Sequence, residues 1–167
     1  YLLHMVNWDG IDLGLYGNWP LLGSRNKLRR HLHPGPIPNA LAADLYRASK
    51  IGLNLYRTSV DFGRSPKHIG GAQSLNPRAL ELAADGVFTL SDAREEVTEV
   101  FGDDVPTFAG PADLEEQVRW WLAHDDERRA VAARLPARVA NRTFDAMAAQ
   151  ILLDCERRFA SELERIG

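Results

Sequence analysis

The residues best suited to bind an anionic ligand occupy one short segment near the middle of the chain. In order, they are Gly70-Gly71-x-x-Ser74-Leu75-Asn76-Pro77-Arg78-x-x-Glu81. A flexible glycine pair can bring backbone N–H groups close to an anion. Asn76 is a good N-cap and Pro77 suits the first helical position, so a helix is predicted to begin here. The start of that helix would add partial positive charge and free N–H donors.

Two charged side chains follow on one face of the predicted helix. Arg78, in the first turn, can contact a diphosphate through two parallel hydrogen bonds. Glu81 lies about one turn further on, where its carboxylate can accept hydrogen bonds from both hydroxyls of a ribose. This chemistry suits any nucleotide or sugar phosphate. The alternative is that Arg78 and Glu81 form only a surface ion pair, worth about 0.2–0.5 kcal/mol, and that the glycines only shape a loop.

Strands and helices alternate around this segment, which predicts an α/β fold with a parallel sheet. The predicted strands are 11–16, 50–56, 87–90 and 105–108. The predicted helices are 40–49, 77–85 and 93–101, and three more between residue 111 and the end of the chain. In such sheets, ligands bind beyond the carboxyl ends of the strands. Asn54, Tyr56 and Asp92 lie at predicted strand ends and are therefore expected near the ligand.

Two further expectations concern regions without strands. The segment from Arg57 to Gln73 contains three glycines and a proline, and is predicted to be a long loop of the kind that is often functional. The last three helices carry apolar stripes that have no other partner in the chain, so they are expected to pack on the sheet. The third begins at Thr143, and its apolar side comprises Phe144, Met147, Ile151 and Leu152.

Composition narrows the class of protein. The chain has 167 residues, enough for one domain, and a net charge of −3, which gives no electrostatic basis for non-specific nucleic-acid binding. No stretch is apolar enough to predict a membrane span. A single cysteine, Cys155, suits a reducing compartment, so a cytoplasmic location is expected. His31 and His33 are expected to be solvated loop residues, because a zinc site needs three or four converging ligands.

Five segments resemble, in their order and spacing, sequence blocks of one enzyme family. They are LYRASKIGLN at 45–54, LNPRALELAADGVFTLSD at 75–92, FGDD at 101–104, WWLAHDDER at 120–128 and NRTF at 141–144. Over roughly residues 12–158 the chain thereby resembles the group-1-like glycosyltransferases related to spore maturation proteins. These enzymes have the GT-B fold of two Rossmann-like domains. The resemblance implies that this chain is the C-terminal half, a Rossmann-like donor-binding domain with a helical C-terminus.

The resemblance also implies roles for individual residues. Glu81 would hold the ribose of a nucleotide-diphosphate sugar. Ser74, Asn76 and Arg78 would contact the diphosphate and sugar, with Asn54 and Tyr56 facing the same cleft. The predicted donor-binding site also includes Leu75 and the glycine pair, Gly70 and Gly71. Asp92 either caps the structure or contacts the ligand. The catalytic residues and the acceptor are not identified, and no metal or other cofactor is expected, because GT-B enzymes generally stabilise the leaving diphosphate with a helix dipole and basic residues.

The chain also departs from the family pattern. Leu80 stands where an aromatic residue is usual, Asp85 replaces a small residue, and Asn141 replaces a frequent histidine. The chain begins at Tyr1 without a signal-peptide layout, so it is expected to be a piece of a longer protein that lacks the N-terminal GT-B domain.

Two alternative functions are a non-catalytic, nucleotide-binding or regulatory module and a flavodoxin-like or dinucleotide-binding oxidoreductase. The absence of a Gly-x-Gly-x-x-Gly motif after any strand weakens the oxidoreductase alternative.

Overall fold

The computed structural model of the chain describes residues 2–19, 22–56, 59–61, 66–68 and 74–166. Its strands are β1 (Leu15–Gly17), β2 (Leu32–Pro34), β3 (Gly52–Asn54), β4 (Ser59–Asp61), β5 (Pro66–His68), β6 (Thr89–Asp92) and β7 (Thr107–Phe108). Its helices are α1 (Leu2–Met5), α2 (Asn39–Ala48), α3 (Pro77–Ala84), α4 (Glu95–Phe101), α5 (Pro111–Ala123), α6 (Asp125–Ala132), α7 (Leu135–Val139) and α8 (Phe144–Ile166). Short 3₁₀ turns span Lys27–His31 and Gly102–Asp104.

The strands that position the candidate site are parallel. A three-stranded sheet has the order β3-β6-β7, with Leu53 opposite Leu90 and Ser91 opposite Thr107. A second parallel pair joins β1 and β2, with Tyr16 opposite His33. These sheets confirm the predicted parallel α/β fold. Three of the four predicted strands are observed as shorter strands, and β1 and β3 each have three residues. The fourth, β6, has the predicted length but lies two residues later.

The helices and strands pack together in two apolar clusters. The first cluster combines the N-terminal segment, β1 and α5, and includes Phe88, Leu90 and Leu114 in its buried core. The second combines α3, α4 and α7, and includes Ala83, Phe101 and Leu135. Parallel strands with flanking helices are the arrangement of Rossmann-like domains.

Two glycines set the close packing of α3. A Cβ atom at Gly52 would lie 2.8 Å from Leu82 Cδ2, so the Leu82 side chain packs directly against the backbone of β3. Gly86 has a φ of 65°, a left-handed conformation that favours glycine and ends the helix, as its sequence predicts. Both glycines therefore fix where α3 lies relative to the candidate site.

Three segments differ from their prediction. Residues 57–73 are not a plain loop, because β4 and β5 within it form an antiparallel pair with Val60 opposite Lys67. Pro66 does not prevent this, since a proline is tolerated as the first residue of a strand. The short helix α7 and the strand β2 were not predicted. Each has five residues or fewer, too few to show a periodic pattern.

The expectation that the last three helices pack on the sheet is correct for two of them. Leu114 and Val118 of α5 are buried in the first cluster, and Val131 of α6 packs against it. It is wrong for α8, where Phe144 is 87% and Phe159 is 72% exposed. An amphipathic pattern predicts that a stripe will be apolar, but not which surface covers it. In the described part of the chain, neither α8 nor any other helix is long and apolar enough to cross a membrane.

A buried carboxylate ties α7 to the second 3₁₀ turn. The Asp104 side chain is 6% exposed and accepts hydrogen bonds from Arg134 Nε at 2.7 Å and Arg138 Nε at 2.8 Å. Burial alone would raise the pKa of Asp104, but the hydrogen bonds from the two arginines outweigh it and hold the pKa below its usual value. Asp104 therefore remains ionised inside the fold.

Replacing Asp104 tests the contribution of this pair to folding. We expect Asp104→Asn to lower the free energy of unfolding at pH 7 by about 2 kcal/mol, because two charge-assisted hydrogen bonds are lost. Since the folded-state pKa is lowered, the stabilisation is present above pH ~4 and disappears as pH falls through the folded pKa. Urea unfolding at pH 7 and near pH 3 should therefore show the difference between parent and variant shrinking in acid. Asp103→Asn, at the exposed neighbouring position, is the control and should change little at either pH.

Candidate functional site

A buried amide organises the edge at which β3 and β6 end. Asn54, the last residue of β3, is fully buried. Its Nδ2 donates a hydrogen bond to Ser91 Oγ at 3.2 Å, and its Oδ1 accepts one from Asn76 Nδ2 at 2.9 Å. Ser91 lies on β6 and Asn76 precedes α3, so one side chain links three elements. The start of α3 is thereby fixed to the carboxyl-terminal edge of the sheet.

The start of α3 is capped as its sequence predicts. Asn76 Oδ1 accepts a hydrogen bond from the Ala79 backbone N–H at 2.9 Å, and Pro77 is the first helical residue. Leu75 and Leu80 both pack against the second apolar cluster, as expected for a hydrophobic staple. The Leu75 N–H donates to Glu96 Oε2 at 2.8 Å, which also ties this segment to α4.

Tyr56 lies two residues beyond the end of β3 and contacts both neighbouring elements. Its hydroxyl accepts a hydrogen bond from the Asn76 N–H at 3.4 Å. Its own N–H donates to Asp92 Oδ1 at 3.2 Å, so Asp92 has a capping role at this edge. The guanidinium carbon of Arg94 lies 4.9 Å from the centre of the Tyr56 ring. Arg94 was not singled out in the sequence, because an isolated arginine after a strand carries no motif.

Arg78 and Glu81 are both exposed on the first turns of α3. Among the residues that the structure describes, they form no ion pair with each other, although they are spaced i, i+3 on one helix. The simple alternative of a surface ion pair is therefore not what the structure shows. Both side chains remain available at the capped end of a helix that begins at the edge of the sheet.

The remaining predicted site residues fall into two groups. Ser74 is exposed and Leu75 is half-buried, directly before α3. Gly70 and Gly71 lie outside the described residues. Asn54 is too deeply buried to be reached from solvent, so it would affect a ligand at this edge only through Asn76.

Two concavities lie elsewhere on the described part of the chain. One concavity of about 310 Å³ lies beside the end of α4, and another of about 290 Å³ lies between the end of α2 and α6. Neither is lined by any residue of the candidate site. The assignment of the site therefore rests on the position of its residues at the edge of the sheet.

The histidines considered as metal ligands have other contacts. The His33 ring stacks on the Tyr16 ring with centroids 4.4 Å apart, and the His31 ring lies 3.0 Å from Arg30 Nε. Within the described ranges, no three histidine, cysteine, aspartate or glutamate side chains come together as a metal site would require.

Comparison with known protein families identifies the class of this fold. A family model described as glycosyl transferase-like matches residues 2–153. The chain belongs to this glycosyltransferase-like family. The parallel sheet with flanking helices is consistent with one Rossmann-like half of a GT-B enzyme, and general glycosyl transfer is the activity of the family. No curated protein and no solved structure matches the chain.

In this glycosyltransferase domain, Asn54 should contribute to stability and to the position of α3. We expect Asn54→Ala to lower the free energy of unfolding by about 2 kcal/mol, because the Asn76 amide and the Ser91 hydroxyl lose a buried partner. Hydrogen exchange at the Ala79 amide should also become faster, since the capping Asn76 is no longer held. Urea unfolding and exchange monitored by NMR would measure the two effects.

Asn141→Ala is a suitable control, because Asn141 is exposed after α7 and far from this edge in sequence. It should leave both the unfolding free energy and the Ala79 exchange rate near those of the parent chain. An Asn54→Ala variant as stable as the parent would show that the hydrogen bonds of the Asn54 amide do not hold the site together.

Proposed function

We propose that this chain is the donor-binding domain of a GT-B glycosyltransferase, and that its donor is a nucleotide-diphosphate sugar. The observation that carries the proposal is the capped start of α3 at the carboxyl-terminal edge of the sheet, with Arg78 and Glu81 exposed on it. This edge is where ligands bind in parallel α/β sheets. Helix starts of this kind favour anions, since their N–H groups and dipole point outward.

The diphosphate is assigned to Arg78 and the start of α3. Asn76 uses its side-chain oxygen to cap Ala79 and its amide to reach Asn54, so its polar groups serve the helix first. A guanidinium in the first turn supplies the charge and the paired donors that suit a phosphate. The geometry supports a diphosphate better than a neutral sugar, because both contributors are cationic or carry partial positive charge.

The ribose is assigned to Glu81. Helix geometry puts Glu81 about 4.5 Å along the axis from Arg78. This separation is close to that between a nucleotide's diphosphate and its ribose hydroxyls. The Glu81 carboxylate has two oxygens and, in the described part of the chain, no hydrogen-bonding partner. It can therefore accept a bond from each ribose hydroxyl.

In the proposed reaction, the bond between the sugar and the diphosphate breaks and the sugar passes to an acceptor hydroxyl. Negative charge develops on the departing diphosphate, and Arg78 and the α3 dipole would stabilise it. This stabilisation needs no metal ion. The acceptor and the catalytic base are assigned to a second, N-terminal GT-B domain, and the enzyme is proposed to act in the cytoplasm.

Substitutions in α3 test the donor site. We expect Glu81→Ala to weaken binding of a nucleoside diphosphate by about 1–3 kcal/mol, because two ribose hydroxyls lose their acceptor. Glu81→Gln should weaken it less, since one acceptor oxygen survives. Arg78→Ala should weaken diphosphates more than nucleosides. Calorimetry with UDP, GDP and ADP, and with the corresponding nucleosides, would measure these differences.

Glu99→Ala provides the matched control, because Glu99 is an exposed glutamate on α4. It should bind all three diphosphates as the parent does. If Glu81→Ala also binds them with parental affinity, the assignment of the ribose to Glu81 is wrong.

The chain by itself should not complete glycosyl transfer. With one wall of a two-domain cleft, slow hydrolysis of the donor is the most that we expect. Incubation with UDP-glucose, GDP-mannose and candidate acceptors, followed by measurement of released diphosphate and glycosylated product, would test this. Robust transfer to a defined acceptor would contradict the two-domain architecture. Binding without turnover, even when an N-terminal domain is supplied, would favour a non-catalytic nucleotide-binding module.

A further inference from the structure

The parallel strands fall into two sets that share one core. β1 pairs with β2, whereas β3 pairs with β6, and β6 pairs with β7. In the described part of the chain, no ladder joins β1 to β3. Even so, Leu15 of β1, Leu53 of β3 and Leu90 of β6 all pack in the first apolar cluster. Two sets of parallel strands therefore line one core without forming one continuous sheet.

The order of the strands distinguishes two kinds of complete sheet. A five-stranded sheet with the order 2-1-3-4-5 has its first and third strands directly side by side. A six-stranded Rossmann sheet has the order 3-2-1-4-5-6. In the second order, β2-β1 and β3-β6-β7 take the positions 3-2 and 4-5-6, and the first strand lies between β1 and β3. Because β1 and β3 do not pair with each other among the described residues, the six-stranded order fits better.

The backbone of β3 has one open edge. The Gly52 N–H points toward β6, since it donates a hydrogen bond to the Phe88 carbonyl at 2.8 Å. Successive N–H groups of a strand point to opposite edges, so the Leu53 N–H points away from β6. Leu53 is also only half-buried, whereas Leu90 on β6 is fully buried. These are features of an edge strand, although β3 would lie inside a six-stranded sheet.

The helix α1 lies where a connection to a further parallel strand would end. Parallel strands are joined by crossover connections, which are usually helices. α1 precedes β1 in the chain, and Leu3 of α1 and the following Val6 are buried in the first cluster. The Leu3 carbonyl also accepts a hydrogen bond from Trp8 Nε1 at 2.8 Å. A buried helix directly before β1 is the connection that a parallel strand between β1 and β3 would need.

We propose that a parallel strand, contributed by the same polypeptide upstream of α1, pairs with β1 on one edge and with β3 on the other. Such a strand would be covered on both faces, so its sequence would be a short apolar run rich in valine, isoleucine and leucine. Because it would run parallel to β3, it would end beside Asn54, at the edge of the sheet where the candidate site lies. A second copy of the chain and a direct ladder between β1 and β3 are the other ways to close these edges.

Hydrogen exchange measured by NMR tests the proposal, by comparing the chain with a longer polypeptide that adds the residues encoded upstream of Tyr1. In the chain alone, the Leu53 amide should exchange at least about 100-fold faster than the Gly52 amide, after correction for intrinsic rates, because only Gly52 is hydrogen-bonded. In the longer polypeptide, the Leu53 amide should slow by about 100-fold relative to Gly52, so that the two rates converge. The Ser91 amide, which donates to the Pro106 carbonyl at 3.1 Å, is the internal control. A general gain in stability would slow all three amides alike and leave their ratios unchanged.

The other outcomes would overturn the proposal. One is a Leu53 amide that exchanges as fast relative to Gly52 in the longer polypeptide as in the chain, and another is a gene that encodes no residues upstream of Tyr1. Protection of Leu53 in the chain alone at every concentration would show that β1 and β3 pair directly. Protection that grows with concentration, together with a dimer in analytical ultracentrifugation, would assign the edges to a second copy. None of these measurements uses a nucleotide, so their result is independent of the proposed donor site.

Discussion

The buried amide of Asn54 is the constraint on which the candidate site depends. A buried side-chain amide costs about 1–3 kcal/mol unless its groups are hydrogen-bonded, so Asn54 requires partners inside the fold. It finds them on two other elements, Ser91 on β6 and Asn76 before α3. The need to satisfy one amide therefore brings the ends of two strands and the start of a helix to one place.

The polar residues at this edge of the sheet fall into two groups, one that holds the structure together and one that is exposed to a ligand. Asn54 and Asn76 hydrogen-bond to each other, and Asn76 also caps the Ala79 N–H. Glu96 accepts a hydrogen bond from the Leu75 N–H. Arg78 lies in the first turn of α3 and Glu81 about one turn further on, and both are exposed. A binding site needs both kinds of residue, because exposed charges recognise a ligand well only when the element that carries them is rigid. Here rigidity comes from groups that a ligand would not touch.

The sequence predicts some of this site well, for a physical reason. The bounds of α3 follow from Asn76, Pro77 and Gly86, whose effects act within a few residues and are therefore visible in the sequence. The burial of Asn54 is not visible, because it depends on which elements converge around the end of β3. Arg94 was missed for the same reason. Its position at the site depends on its contact with Tyr56, a residue that only the fold brings next to it.

The helix α8 shows the other limit of sequence patterns. Its apolar stripe is as regular as that of α5, yet Leu114 of α5 is fully buried, whereas Ile151 and Leu152 of α8 are exposed. A regular spacing of apolar residues indicates a helix face whose removal from water is favourable, and any apolar surface can bury that face. For α5 this surface is the sheet. Only two residues separate the end of β7 from the start of α5, so the helix is held next to the sheet. The apolar stripe of α8 has no short connection to a strand that would fix its position. Its pattern therefore predicts that the stripe favours burial, but not which surface would cover it.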